Sequence, residues 1–158
     1  MRSLEVGGIS DDGRYALYDS EADNLVPNDT DLESNAFVRD RQRHTTTRVS
    51  VSSTGAPGDA GEYQPSISGD GRWVAFASLT SLAPGDTNLA SDVYLHDMQT
   101  GQTTLESVNS AGTPANGSTL FSALSADGRC IVFTSIATNL SPLDHSTHQD
   151  NYVRGPLR

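Results

Sequence analysis

The chain has 158 residues, enough for one domain with its own core, and is 35% hydrophobic but only 6% aromatic. Twenty acidic residues against ten basic ones leave a net charge of −10, a surface that repels nucleic acid and anionic membranes. No apolar run approaches the roughly 18 residues of a membrane span, so neither nucleic-acid binding nor membrane insertion is expected.

In chain order, the first predicted strand ends at Ile9-Ser10 and the second runs from Arg14 to Ser20. Between them stands Asp12-Gly13, a pair that takes positive φ at little cost and so reads as a tight hairpin turn. A long polar loop, 21–34, leads to a strand at Asn35–Asp40 and another at Thr45–Val51. The Gly-, Pro- and Asp-rich loop 52–62 then hands over to a second set, Tyr63–Ser68, Arg72–Ser78, Asp92–Asp97 and Thr103–Val108. The third set is Leu120–Ser125, Cys130–Ser135 and Asn151–Arg154. Cys130, alone in the sequence, excludes an internal disulfide and is read as a small core residue in the place of Tyr15 and Trp73.

These sets are copies. Gly13, Gly71 and Gly128 recur at intervals of 58 and 57 residues, within the range of propeller blades or solenoid units. Pro27, Pro84 and Pro142 keep the same register, as do Asp29, Asp86 and Asp144, and then Phe37, Tyr94 and Tyr152. Trp73-Val74-Ala75-Phe76-Ala77 and Ile131-Val132-Phe133 are apolar at successive positions. Successive side chains leave a strand on opposite faces, so both faces of these sheets are expected to be buried, as in sheets stacked radially. Trp73, Phe76 and Phe133 are the expected core between sheets, with Tyr15 and Tyr18 covered in part. The reading is an all-β chain: a propeller segment of about three antiparallel meander blades, two four-stranded and one three-stranded. It spans 1–158 as one unit, with blade 1 about 4–51, blade 2 about 62–108 and blade 3 about 119–155.

The pattern Ser68-Gly69-Asp70-Gly71-Arg72-Trp73-Val74-Ala75-Phe76, followed by Asp92-Val93-Tyr94-Leu95-His96-Asp97 and Thr100-Gly101-Gln102-Thr103-Thr104, resembles the TolB-type, WD-like propeller repeat. The resemblance covers about residues 9–154 and implies an exported bacterial protein, periplasmic or extracellular, that binds a protein or carbohydrate ligand. It also leaves room for an accessory lobe beside a hydrolase. Met1 to Gly8 has no apolar segment of the signal-peptide kind. Two departures stand out: Gly155 replaces Asp40 and Asp97, and the third blade lacks its last strand. Since propellers have about 4–8 blades, three should not close alone, and a homodimer or a fragment of a larger propeller is expected.

In such a meander the long loops (21–34, 52–62, 79–91, 109–119 and 136–150) share one end, where a binding surface is expected. Asp29, Asp31 and Asn35, and again Asp86, Asn88 and Asp92, repeat one oxygen-bearing spacing. Such a set fits a Ca²⁺-stabilised loop, or a turn whose carboxylates accept hydrogen bonds from loop N–H groups. Asp144, His145, His148 and Asp150 form a candidate Zn²⁺ or Ni²⁺ cluster in the third loop only. His44 and His96 read as structural. No Gly-x-Ser-x-Gly elbow or phosphate-binding glycine loop is present, so a noncatalytic module without a cofactor is expected. At the opposite end, antiparallel neighbours should set Arg14 beside Asp40 and Arg72 beside Asp97, a pair the third unit loses at Arg129 and Gly155.

Overall fold

The structure, a computed structural model, describes residues 6–27, 29–30, 33–59, 65–144, 146 and 148–157. Three antiparallel meander sheets form. The first holds β1 (Val6–Ile9), β2 (Tyr15–Ser20), β3 (Asn35–Asp40) and β4 (Thr45–Arg48) in sequence order. The second holds β5 (Ser66–Ile67), β6 (Trp73–Ser78), β7 (Asp92–Asp97) and β8 (Thr103–Leu105), and the third holds β9 (Thr119–Leu124), β10 (Ile131–Ser135) and β11 (Asp150–Arg154). The parts of blades 1 and 2 predicted at residues 4–5 and 62–64 lie outside the described residues.

Each first hairpin is built by the repeated Ser-x-Asp-Gly-Arg. Ser68 Oγ donates to Asp70 Oδ1 at 2.5 Å, and the same carboxylate accepts the Arg72 N–H at 3.0 Å. Ser68 Oγ also accepts the N–H of Trp73, so side chains hold the turn before the strands add their own bonds. Ser10 with Asp12 and Ser125 with Asp127 repeat this geometry. Gly13, Gly71 and Gly128 take φ of 69°, 72° and 66°, the left-handed region the turn requires.

Two of the predicted strands end early. The outermost strands were expected to run to Val51 and Val108 but stop at Arg48 and Leu105, because a serine hydroxyl replaces the ladder there. Ser107 Oγ accepts the Val93 N–H, and Ser50 Oγ accepts that of Ala36, while Glu106 and Ser107 both donate to the Val93 carbonyl. The chain then doubles back through the isolated bridges Val51–Pro57 and Val108–Pro114.

The middle sheet is buried on both faces. Val74, Phe76 and Tyr94 pack with Leu17, Ala36 and Val38 of the first sheet, and Leu82 and Ala83 of the following loop close that cluster. Ala75, Ala77, Val93 and Leu95 point the other way, onto Ile131 and Phe133 of the third sheet. Phe76 and Phe133 are buried as expected. Trp73 is not: it is only partly covered, its ring lying under the Arg72 guanidinium 4.7 Å from the centroid. Val132 departs as well. Both faces of its strand were expected to be covered, yet Val132 and its cross-strand partner Val153 are exposed, since among the described residues no sheet stands on that side of β10 and β11.

Backbone bonds fix how the sheets stack. Asp11 N–H donates to the Gly69 carbonyl and Gly69 N–H to the Ala126 carbonyl, both at 2.8 Å, joining equivalent residues of successive turns. An ideal Cβ on Gly71 would lie 2.2 Å from Tyr15 Cδ2, so glycine is needed there both for its φ and for the aromatic ring beneath it.

Candidate functional site

At the short-turn end, Arg14 Nη2 lies 2.7 Å from Asp40 Oδ2 and Arg72 Nη2 lies 2.8 Å from Asp97 Oδ2, each completed by a second bond from Nε. The arginine hydrogen bonds hold both carboxyls well below the usual carboxylate range, against the opposing effect of burial. Asp97 also caps the following turn, accepting from Gln99 N–H and Thr100 Oγ1. Among the described residues Arg129 has no such acid partner, and Leu157 N–H donates to its carbonyl. A groove of about 410 Å³ opens here between blades 1 and 2, lined by Tyr15, Val38, Asp40, Asp70 and Arg72. Its charged groups already serve turns and ion pairs, which makes it part of the scaffold.

The long-loop end is organised around the repeated Pro-x-Asp. Tyr94 Oη donates to Asp86 and Tyr152 Oη to Asp144. Burial and the nearby carboxylate push both phenols above their usual range. Blade 1 has Phe37 in the tyrosine's place, and Asp29 pairs instead with Arg48, the cross-strand partner of Phe37. The ring geometry is kept: Tyr18–Phe37, Phe76–Tyr94 and Phe133–Tyr152 have centroids 6.0, 5.9 and 5.8 Å apart.

The other predicted loop residues fall into these networks. Asn35 Oδ1 accepts from Ser50 Oγ. Asn88 donates from Nδ2 to Asp92 Oδ2 at 2.7 Å and to the Ala115 carbonyl at 2.9 Å, and its Oδ1 accepts the Ala90 N–H. Asp92 Oδ1 accepts from Ser107 Oγ, and burial raises the Asp92 carboxyl despite these bonds. Among the described residues, buried Asp86 Oδ1 has no partner. Asp31 and His145 lie outside the described residues. Asp144 also accepts the Ser146 N–H, Asp150 accepts from Ser146 Oγ, and exposed His148 donates its N–H to that same hydroxyl. Among the described residues no group of three His, Cys, Asp or Glu is placed to hold a metal.

His96 is buried, and desolvation lowers its pKa. Thr103 Oγ1 donates its single proton to the Val51 carbonyl at 2.6 Å, so it accepts from His96 Nδ1–H at 2.9 Å. His44 sits at positive φ in the turn between β3 and β4. Cys130 is half-buried, its sulfur 2.7 Å from where a Cβ on Gly155 would stand.

Neighbouring loops are tied to one another. Asp59 Oδ1 accepts from Ser78 Oγ and Leu79 N–H, while Asn116 and Asn139 bridge loop 109–118 to loop 136–149. Leu79, Leu89, Ile136 and Leu143 project from this end into solvent.

No protein-family model and no curated protein sequence matches the chain. Among solved structures it is similar to a putative TolB from Agrobacterium tumefaciens, at 18% identity and a TM-score of 0.58, over 97% of this chain and 46% of that one. The fold is that of a TolB-type β-propeller. The same three sheets are similar to part of the tricorn protease (15% identity, TM-score 0.55, 97% of this chain, 14% of that). They are also similar to part of a prolyl endopeptidase (17%, 0.53, 99% and 21%). The chain thus spans less than half of the TolB chain it matches.

Two features of this TolB-type segment escaped the sequence reading. One is the Pro-x-Asp to tyrosine bond, which the paired recurrence of Asp86 with Tyr94 and Asp144 with Tyr152 already marked. The other is the loop Val51-Ser52-Ser53-Thr54-Gly55-Ala56-Pro57, repeated 57 residues later as Val108-Asn109-Ser110-Ala111-Gly112-Thr113-Pro114. Its signal is that offset. Each copy forms the same turn, with Gly55 N–H donating to the Ser52 carbonyl and Gly112 N–H to that of Asn109.

Proposed function

We propose that the chain is a noncatalytic, exported binding module that engages a protein ligand through its long-loop end. The observation that carries this reading is the set of exposed leucine and isoleucine side chains there, Leu79, Leu89, Ile136 and Leu143, on loops held in place by Asx hydrogen bonds. Exposed apolar side chains on pre-ordered loops contribute affinity without an ordering cost, and a protein surface covers them better than a carbohydrate does. At the opposite end Arg14, Asp40, Arg72 and Asp97 are consumed in ion pairs, and Asp12, Asp70 and Asp127 in turns.

A second reading, an accessory lobe of an exported hydrolase, is favoured by the likeness to parts of two peptidases. The test compares affinity capture from periplasmic and culture-supernatant extracts by the wild-type chain and by the triple variant L79S/L89S/L143S, with melting temperatures matched. Loss of a specific protein from the variant's eluate supports the proposal. Identical eluates, or elution by simple sugars, refute it.

A further inference from the structure

The four exposed apolar side chains of the long-loop end stand on two loops, Leu79 and Leu89 on 79–91 and Ile136 and Leu143 on 136–150. What surrounds them carries charge of one sign. Loop 21–34 holds five carboxylates, 52–62 two, 79–91 one and 136–150 two, while none of the five long loops holds an arginine. The sequence has no lysine, so these loops contain no permanent cation.

The described arginines gather elsewhere. Arg14, Arg72 and Arg129 lead into the second strand of each blade, Arg39, Arg41 and Arg43 lie in or beside the β3–β4 turn, and Arg154 pairs with Glu106. Carboxylates stand among them at the short-turn end, Asp40 and Asp97 in ion pairs and Asp12, Asp70 and Asp127 in turns, so the two signs nearly cancel. Among the described arginines only Arg48 ends its strand at the long-loop end, and it is buried against Asp29. The equivalent carboxylate of blade 2 meets a neutral group instead: Asp86 accepts from Tyr94 Oη, and among the described residues its buried Oδ1 has no partner. The net charge of −10 is therefore concentrated on the long-loop end, around the apolar side chains.

We propose that the partner seated on this end is a basic polypeptide, one that sets lysine or arginine beside apolar side chains. This rests on the reading of the long-loop end as a protein-binding surface and names the chemistry of what it binds. An acidic partner would have to bring its apolar groups against loops of its own sign, which repel it before contact. A basic partner is drawn in by the same field and oriented by the carboxylates around the leucines. Apolar contact then supplies the affinity, and charge selects who makes it.

Three capped octapeptides test this, alternating leucine with lysine, leucine with glutamate, and serine with lysine. Each is titrated into the full chain by calorimetry, while methyl spectra report on Leu79, Leu89, Ile136 and Leu143. The leucine–lysine peptide is expected to bind saturably and shift those methyls, and the other two to bind at least about tenfold more weakly. Raising the salt from about 0.1 M to about 1 M shortens the screening length from about 10 Å to about 3 Å and should weaken the leucine–lysine peptide by a similar factor. D23N/E33Q/D150N, which removes exposed charge only, should bind it more weakly and with a smaller salt effect. Equal affinity for the leucine–glutamate peptide overturns the inference and leaves the protein-binding reading standing. Serine–lysine binding as tight as leucine–lysine, or methyls unmoved by every peptide, also overturns it, and the reading itself falls only if the capture eluates are identical as well. Self-association that shifts the same methyls and shuts the peptide out overturns it too, identifying a second copy as the occupant.

Discussion

Blade 1 solves one problem differently from its neighbours, and exchanging the solutions is the sharpest test of the repeat argument. Asp29 and Arg48 are both almost wholly buried, with side-chain exposures of 2% and 9%. Arg48→Leu leaves the carboxylate buried without its cation, a change that costs about 3–5 kcal/mol. For a domain of this length that corresponds to a fall in melting temperature of roughly 6–20 °C. Phe37→Tyr in the same chain should restore much of it. Leucine is the residue at the Arg48 position in blade 2, and the ring stack of Phe37 on Tyr18 matches that of Tyr94 on Phe76, so the new hydroxyl is aimed at Asp29 as Tyr94 is at Asp86. A hydrogen bond to a charged group returns about 1.5–3 kcal/mol. Thermal and urea unfolding of the wild type, both single variants and the double variant close the cycle. The reasoning is refuted if R48L costs under about 1 kcal/mol, the level of an exposed pair, or if F37Y stabilises R48L no more than it stabilises the wild type.

Three further outcomes are expected. Asp40 and Asp97 have depressed pKa values, so their stabilisation is present above the unfolded value near pH 4 and is lost as pH falls below it; wild-type melting temperature should drop between about pH 4 and 2, and a D40N/D97N variant, less stable at neutral pH, should show a flatter profile. Gly13 and Gly71 share the same φ, but a Cβ at Gly13 meets nothing closer than 3.6 Å while one at Gly71 strikes the Tyr15 ring; G13A should cost about 1–2 kcal/mol for the backbone alone and G71A clearly more by chemical denaturation. Titrating Ca²⁺ against a chelator should leave the melting temperature unmoved, because Asn88 Oδ1 already accepts from Ala90 N–H and the two Asp92 oxygens from Asn88 Nδ2 and Ser107 Oγ; a rise with the logarithm of free ion would assign the loop carboxylates to a cation instead.

The local architecture was legible because repetition and short-range chemistry write it into the chain. Asp-Gly at positive φ, flanked by serine and arginine, specifies a hairpin within a few residues, and the spacing of 57 and 58 residues counts the blades. Adjacent apolar positions in β6 announced a sheet covered on both sides, and the Arg–Asp partners of antiparallel neighbours followed from strand order. Burial at a given position was another matter. Val132 occupies the place of Ala75 in the repeat and looks equally apolar, yet one is exposed and the other sealed, since burial depends on whether a further sheet stands beside it. Tertiary structure likewise decided that Asp29 meets an arginine while Asp86 meets a tyrosine, partners 19 and 8 residues away that only strand register brings together. It also set Ser53 against Thr103 across 50 residues. A sequence carries what a residue's near neighbours impose; which surfaces meet follows from how the sheets stack.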